Sequence, residues 1–210
     1  MLHLPAPDTV RRLFRDAGAL LVRDALDVTT ASELAGEALA LSRRSGRHIQ
    51  RSSDAGVLDY GVITGDVIRT GAARFSALYE AVELLDWIRA VTRTPAVDRS
   101  PYVRSAVNIN VLATRGQQYR WHTDAVPFTV LLFLTTVPPE SGGELLIRTG
   151  PDDVLSVPPV AGQLVLMDGH RCPHAVAPLL DDVPRITMPM VFPAAPIDRP
   201  AGLDDYLYAT

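Results

Sequence analysis

A histidine and an aspartate stand two residues apart in the segment YRWHTDAVPF, at His122 and Asp124. The strongly apolar run VLLFL follows, and ionisable side chains beside a core segment are costly unless something compensates them. If the segment is extended, both side chains project to the same face, because side chains alternate along a strand. An imidazole and a carboxylate so placed can bind one metal ion, but they leave it under-coordinated, so a third protein ligand is needed.

The third ligand must come from the few remaining histidines, since the chain has five in all. Two lie in the N-terminal part, and His170 follows an Asp-Gly pair that predicts an exposed turn. His174 opens the apolar segment HAVAPL, as an inward-pointing ligand would. We therefore predict His122, Asp124 and His174 as the metal ligands. This two-histidine, one-carboxylate set leaves three positions open and is typical of non-haem Fe(II) oxygenases.

An arginine, Arg185, stands downstream in the apolar segment PRITM. A guanidinium is costly to bury without an anionic partner, and its planar fork can hold a carboxylate through two hydrogen bonds. Thr187 lies two residues on, hence on the same face of a strand, and can add a hydroxyl donor. The pair predicts a clamp for the far carboxylate of a keto-acid cosubstrate whose 2-oxo acid end chelates the metal.

The elements that must position these residues are short β-rich segments. They follow one another after Pro95, separated by turn formers such as PPESGG and DGHRCP. Their spacing predicts an antiparallel sandwich or jelly roll rather than a βαβ fold. The last residues, from about 196 to 210, are rich in proline and are predicted to wrap the surface as a tail.

The residues before Pro95 are predicted to be mostly helical, with a short strand at ALLV. One helix runs from Asp8 or Thr9 to near Gly18, and another is capped by Thr29 or Thr30 and ends before Gly46. FSALYEAVELLDWIRAV predicts one long helix, with an apolar face at Phe75, Leu78, Val82, Leu85, Ile88 and Val91. The polar stretch SRRSGRHIQRSSDAG, which includes residues 43–51, predicts a solvated loop; a mobile lid is the alternative.

Composition limits the function further. The 210 residues suit one domain, and 47% hydrophobic residues are enough to form a core. A net charge of −4 gives no general attraction to nucleic acid or acidic membranes. The chain has no lysine, which excludes Schiff-base chemistry, and its single cysteine, Cys172, excludes an internal disulfide and cysteine-rich zinc sites. Without a signal-peptide pattern or a long apolar run, the expected location is cytoplasmic, away from membranes.

The order HxD, GGEL, His, RxT resembles the double-stranded β-helix core of the 2-oxoglutarate and Fe(II)-dependent dioxygenase superfamily. The matching stretches are GQQYRWHTD, FTVLLFLTTVPPESGGELLI and GQLVLMDGHRCPHAVAPLLDDVPRITM, within roughly residues 102–192. Within the superfamily the chain is most similar to the prolyl-hydroxylase-like branch. It is also similar to small bacterial enzymes that hydroxylate or halogenate free amino acids.

This resemblance implies Fe(II), the cosubstrate 2-oxoglutarate and O₂. The iron would bind His122, Asp124 and His174, and the distal carboxylate of 2-oxoglutarate would bind Arg185 and Thr187. The expected fold is mainly β, a jelly-roll core with N-terminal α-helices packed on it. One oxygenase domain is predicted over residues 1–210, with a helical part to residue 95, the jelly-roll core at 96–195 and the tail at 196–210.

Two positions distinguish this chain from groups of relatives within the superfamily. Many relatives have a tyrosine on the strand before the HxD, where this chain has Ala113, so another residue must complete the cosubstrate pocket. Asn108, Asn110 and Tyr119 are the candidates; the two asparagines share one face of an apolar strand, and buried amides need partners. Halogenating relatives replace the carboxylate ligand with a small residue to admit halide, so the presence of Asp124 favours hydroxylation.

The predicted function is hydroxylation of a small molecule, an amino acid or a natural-product intermediate, with release of succinate and CO₂. Desaturation or ring formation would use the same residues. Alternatives are a peptidyl hydroxylase and a non-catalytic ligand-binding β-barrel, although the latter would not need the intact triad. A nucleic-acid demethylase is disfavoured, because TMPMVFP supplies no second arginine after Arg185. A monomer or homodimer is expected.

Overall fold

The N-terminal part of the protein begins with a helix, a strand and a second helix: α1 (Pro7–Ala17), β1 (Ala19–Val22) and α2 (Val28–Ser45). The computed structural model describes residues 1–53, 56–196 and 201–208. Both helices and the short strand lie where the sequence places them. The cap of α2 differs, since the side chain of Asp27 accepts a hydrogen bond from the Thr30 N–H at 3.0 Å. An aspartate at this position satisfies a helix N–H that would otherwise have no partner.

The prediction of a polar loop before residue 56 is wrong. Arg47–Ser53 forms strand β2, which pairs along its whole length with β3 (Gly56–Ile63). Ile49 is the one buried residue of β2, so this strand has no apolar alternation that the sequence would reveal. β3 pairs in turn with strands of the core, which makes the hairpin part of the main sheet. Two residues of the predicted loop, 54 and 55, lie outside the described ranges.

The single long helix predicted near residue 80 is also wrong. The predicted segment is divided between two helices, and a third helix precedes it. These are α3 (Gly65–Gly71), α4 (Ala73–Tyr79) and α5 (Val82–Thr92). Because the chain breaks between α4 and α5, the apolar face does not continue in one register. Phe75 is fully buried, but Val82, at the first position of α5, is 63% exposed.

The C-terminal half forms the rest of one eleven-stranded sheet. Its remaining elements are listed here in chain order: α6 (Val103–Ala106), β4 (Ile109–Leu112), β5 (Gln118–His122), β6 (Phe128–Phe133), β7 (Leu145–Arg148), β8 (Val154–Val157), β9 (Leu164–Asp168), β10 (His174–Val176), β11 (Arg185–Phe192) and α7 (Leu203–Leu207). The strand order is β1-β9-β6-β11-β4-β3-β5-β10-β7-β8, with β2 on β3, and every pair is antiparallel. The sheet curls into a half-barrel with helices packed on it, so the predicted fold class is confirmed.

Alternation along β11 separates the core from the site. Ile186, Met188, Met190 and Phe192 point into the hydrophobic core beneath the helices. The intervening residues, from Arg185 to Val191, line a cavity on the concave face. The sheet therefore uses one face for stability and the other for chemistry.

The C-terminal tail at 196–210 stays a prediction. Residues 201–208 contain the short helix α7, which has no buried residue, and the following Tyr208 is buried. Residues 197–200 and 209–210 of the predicted tail lie outside the described ranges. Among the helices of the described ranges, none has the length and apolarity needed to cross a bilayer.

Because the chain breaks between α4 and α5, Phe75 and Val82 of the predicted apolar face should contribute differently to stability. Phe75→Ala should lower the free energy of unfolding by about 3–5 kcal/mol, because it leaves a cavity in the core. Val82→Ala should change it by about 0.5 kcal/mol or less, because this side chain is largely in water. Urea denaturation of both variants measures the difference. Equal losses would show that the two residues share one buried helical face.

Candidate metal centre

Two histidines are brought together by the ladder between β5 and β10, in which His122 and His174 are direct partners. Their ring centroids lie 4.1 Å apart. Asp124 follows the end of β5 and reaches the same side, with its Oδ1 3.6 Å from the Nε2 atoms of both His122 and His174. One ligand atom from each residue lies within 4.8 Å of the other two. The structure thus brings together the three predicted ligands at the separation that one shared ion requires.

Backbone hydrogen bonds orient both imidazoles. Nδ1 of His122 lies 3.0 Å from the Arg120 carbonyl oxygen, and Nδ1 of His174 lies 3.1 Å from that of Cys172. A neutral imidazole that donates from Nδ1 leaves the Nε2 lone pair free for a metal. Burial, together with the nearby His174, lowers the pKa of His122 to about 4. At neutral pH this imidazole is therefore in the form that metals bind.

The carboxylate of Asp124 is held from its other side. Its Oδ2 accepts a hydrogen bond from the buried Thr129 hydroxyl at 2.5 Å, and its backbone N–H donates to the Gly169 carbonyl at 3.0 Å. A Cβ on Gly169 would lie 2.6 Å from Oδ2, so only glycine leaves room for the carboxylate. With Oδ2 engaged, Oδ1 faces the two histidines.

Arg185 occupies the deep end of the cavity, where its side chain is among the largest fully buried ones at 1% exposure. Its Nε donates to the Gly143 carbonyl at 2.6 Å, and its Nη1 lies 3.5 Å from the Thr187 hydroxyl oxygen. Nη2 is buried without a hydrogen-bond partner. Burial lowers the pKa of Arg185 to about 9, an effect that the nearby Glu144 carboxylate partly opposes.

Gly143 makes room for this guanidinium. Its φ of 78° lies in the left-handed region, where residues with a side chain are strained. A Cβ at this position would lie 2.9 Å from Leu179 and 3.1 Å from Arg185. Gly143 of the GGEL segment thus lets the backbone pass close to Arg185, so that the carbonyl of Gly143 can accept a hydrogen bond from its guanidinium.

The residues present fit the metal and the cosubstrate that the resemblance implies. Two imidazoles and a carboxylate converge on one point. No carboxylate of the described residues lies within salt-bridge distance of Arg185, so a buried cation is left with an orphaned donor. The free carboxylate of a bound keto acid would supply the missing charge and acceptor.

Ala113 and the two asparagines, Asn108 and Asn110, bear on how the cosubstrate pocket is completed, and the structure places them differently. Ala113 is exposed and is not among the residues that line the cavity. Asn110 pairs across the ladder with Thr187, lines the cavity and has a buried Oδ1 without a partner. The amide of Asn108 pairs instead with the Tyr208 hydroxyl at 2.7 Å. Of the two asparagines, Asn110 is the one placed beside the guanidinium.

Two tyrosines complete the wall next to His122. β5 has one residue more than β10 between paired positions, Tyr119 with Val176 and His122 with His174. This β-bulge turns Tyr119 towards His122, with ring centroids 4.6 Å apart. Tyr60 of β3 packs on Tyr119 at 5.0 Å, and burial raises the pKa of both phenols. Sequence reasoning missed Tyr60 because it missed the hairpin; the alternating pattern of VLDYGVI was the available signal.

The cavity that joins these groups has a volume of about 380 Å³. Beyond the three metal ligands, its charged lining residues are Arg51, Arg120 and Arg185, and Asp124 is the one carboxylate among the described lining residues. Arg120 donates to the Ser53 hydroxyl at 2.6 Å. The cavity is therefore cationic outside the triad and favours a ligand with negative charge.

Comparison with known proteins gives two family matches. Residues 6–149 match the family model described as Halogenase D, and residues 107–192 match that of the 2OG-Fe(II) oxygenase superfamily. A comparison with curated proteins found no significant match.

Several solved structures share the fold. The carbocyclase SnoK from nogalamycin biosynthesis has a TM-score of 0.76 and 16% identity, covering 98% of this chain and 93% of that one. The epimerase SnoN from the same biosynthesis has a TM-score of 0.69 and 17% identity, covering 89% of this chain and 82% of that one. A Pseudomonas putida prolyl-4-hydroxylase gives 0.66 and 16%, covering 91% and 100%. At these identities the likeness concerns the jelly-roll fold alone.

The hydrogen bond from Thr129 to Asp124 yields a prediction for metal affinity. Thr129→Val keeps the shape of the side chain but leaves Oδ2 without its donor, so Co(II) affinity should fall by about tenfold or more. Thr129→Ser keeps the hydroxyl and should bind Co(II) nearly as tightly as the unmodified protein. Calorimetric titration of the metal-free protein measures both. Equal affinity of the valine variant would mean that Thr129 does not position the carboxylate.

Proposed function

Since the chain belongs to the Halogenase D family and to the 2OG-Fe(II) oxygenase superfamily, with Fe(II) and 2-oxoglutarate as its cofactors, we propose that it hydroxylates a small molecule. The substrate class is an amino acid or a natural-product intermediate, and succinate and CO₂ are the co-products. The observation that carries the proposal is a complete His-Asp-His triad in one cavity with a buried Arg185 whose Nη2 has no hydrogen-bond partner among the described residues.

The residues of the cavity have separable roles in this reaction. His122, Asp124 and His174 would hold the metal, and Arg185 with Thr187 would hold the distal carboxylate of 2-oxoglutarate. When bound, iron and 2-oxoglutarate supply the oxidising power, drawn from O₂, that C–H hydroxylation needs. Burial favours the neutral form of His122, the hydrogen bond from Thr129 orients the carboxylate of Asp124, and His174 lies buried in the cavity.

Asn110 is proposed as the residue that completes the cosubstrate pocket. It lies across the ladder from Thr187 and has an unsatisfied amide oxygen in the cavity. Its amide nitrogen can donate to a carboxylate, and its oxygen can accept from a protonated group. Asn108 is assigned a different role, since its amide already pairs with Tyr208.

Hydroxylation is favoured over halogenation despite the family's name. Halogenation requires a metal position for halide in place of the carboxylate ligand. Here Asp124 fills that place, held by Thr129 on one side and facing both histidines on the other. We infer that the product carries oxygen rather than halogen.

The small-molecule assignment is supported by the charge and size of the cavity. A volume of about 380 Å³ must hold the cosubstrate together with the substrate, which limits the substrate's size. Arg51 and Arg120 would suit a carboxylate such as that of an amino acid. Two neighbours in fold, SnoN and SnoK, come from nogalamycin biosynthesis, which is consistent with a natural-product intermediate.

Binding of the two cofactors provides a direct test. Anaerobic addition of Fe(II) and then 2-oxoglutarate should produce a weak visible charge-transfer band, and His174→Ala should abolish it. Arg185→Gln should raise the half-saturating 2-oxoglutarate concentration about 30-fold or more, since losing a buried charge contact costs about 2 kcal/mol or more. Arg148→Gln, an arginine outside the cavity, is the control and should bind normally. A normal band in His174→Ala would refute the assignment of the ligands.

The identity of the transferred atom is tested with product mass. A panel of free amino acids and acidic natural-product precursors is incubated with Fe(II), 2-oxoglutarate and O₂ in buffers with and without bromide. The expected product is one oxygen atom heavier than the substrate, in equal yield in both buffers, with one succinate formed for each product. A brominated product from the unmodified protein would overturn the inference drawn from Asp124.

A further inference from the structure

The C-terminal segment 201–208, here called the C-terminal strap, forms part of the cavity wall. Tyr206, Leu207 and Tyr208 all line the cavity that contains the metal centre. The strap lies outside the residues matched by either family model, which end at 149 and 192. Its placement is therefore a feature of this chain that the family matches do not describe.

Three arginines from two other elements hold the strap in place. Arg47 donates to the Tyr208 carbonyl at 3.2 Å, and Arg51 donates to the carbonyls of Tyr206 and Leu207. These two belong to β2, the strand that the sequence did not reveal. Backbone carbonyls accept these bonds, so the hold does not depend on the side chains of the strap.

Arg104 of α6 adds an ion pair and a ring contact. Its Nη1 lies 2.7 Å from the Asp205 carboxylate, and its guanidinium lies 5.5 Å from the centre of the Tyr208 ring. Tyr208 itself is 5% exposed, and its hydroxyl pairs with the Asn108 amide at 2.7 Å. Tyr208 is thus held in a fixed position, buried and facing the cavity that it lines.

The strap meets the cavity wall near Pro189 rather than at the Arg185 end of β11. The hydroxyl of Tyr208 pairs with the amide of Asn108, whose backbone N–H bonds to the Pro189 carbonyl, four residues along β11 from Arg185. Four residues of strand span about 13 Å. The five carbons of 2-oxoglutarate are joined by four bonds of about 1.5 Å, so the molecule spans about 6 Å at most. We therefore expect the strap to bound the part of the cavity that the cosubstrate leaves free.

We propose that the C-terminal strap is the substrate-side wall of the active site and that Tyr208 limits the size of the substrate group accepted. The substrate is a small acid, because Arg51, which holds the strap, and Arg120 both line the cavity, and Asp124 of the metal centre is the one carboxylate among its described lining residues. This inference rests on the proposed function, since it assigns the space beside a metal centre that holds 2-oxoglutarate.

Four variants of the full chain separate the wall from the cofactor site. Tyr208→Ala removes the ring, Tyr208→Phe removes only the hydroxyl, and Arg104→Gln breaks the ion pair with Asp205. Arg74→Gln is the matched control, because it breaks an equivalent pair with Glu33, at 2.8 Å, between α4 and α2.

Two readouts need no known substrate. The half-saturating 2-oxoglutarate concentration, from the anaerobic charge-transfer band, should stay within about twofold in all four variants, because the metal ligands and Arg185, rather than the strap, are proposed to hold the cosubstrate. The rate at which the chelator ferrozine removes Fe(II) should rise at least about fivefold in Tyr208→Ala and Arg104→Gln, because the cavity is less enclosed. Arg74→Gln should lose iron at the unmodified rate.

The third readout is the spectrum of free amino acids turned over, measured by succinate release. Tyr208→Ala should accept larger side chains than the unmodified protein, whereas Tyr208→Phe should keep its size limit. Unchanged chelation rates and an unchanged amino-acid spectrum in Tyr208→Ala would overturn the inference and leave the proposed function intact. Weaker 2-oxoglutarate binding in that variant would also overturn it. Absence of the band in the unmodified protein would instead refute the proposed function.

Discussion

Burial of an unpaired guanidinium is the constraint on which the site depends. A cation such as Arg185 is destabilising inside a protein unless an anion or several acceptors surround it. Here the Gly143 carbonyl accepts from Nε, and the hydroxyl of Thr187 is a more distant partner, while Nη2 has none. The fold holds this group at the end of β11, in a cavity that it shares with the metal centre. A carboxylate that enters the cavity would offset the remaining energetic cost.

The same sheet solves the second problem, which is to bring ligands from distant parts of the sequence to one point. Antiparallel pairing of β5 with β10 sets His122 directly beside His174. Backbone carbonyls then fix both rings, and Thr129 and Gly169 fix the carboxylate. Each ligand is thus oriented by a hydrogen bond or a close contact with a backbone group or a neighbouring side chain, which is how a metal site keeps its geometry before the metal arrives.

The sequence was sufficient for the β-rich half and the composition of the site. Alternating strands, the HxD spacing and an arginine inside an apolar strand are local signals, and the structure brings these residues together in one cavity. It was not sufficient where burial depends on distant partners. Only one residue of β2 is buried, so the sequence of β2 shows no alternation of apolar residues. The hairpin of β2 and β3 was therefore not predicted, and neither was the place of Tyr60 in the site. The burial of Tyr208 could not be predicted for the same reason, because Arg47, Arg51 and Arg104, which hold the strap, are far away in sequence.

A crystal structure of the protein grown with Mn(II) and 2-oxoglutarate measures the central geometry directly. It should show one ion bonded to Nε2 of His122, Nε2 of His174 and Oδ1 of Asp124, with the keto acid's remote carboxylate on the Arg185 guanidinium. An ion bound elsewhere, or a cosubstrate whose carboxylate avoids Arg185, would contradict the assignment of this cavity as the oxygenase centre.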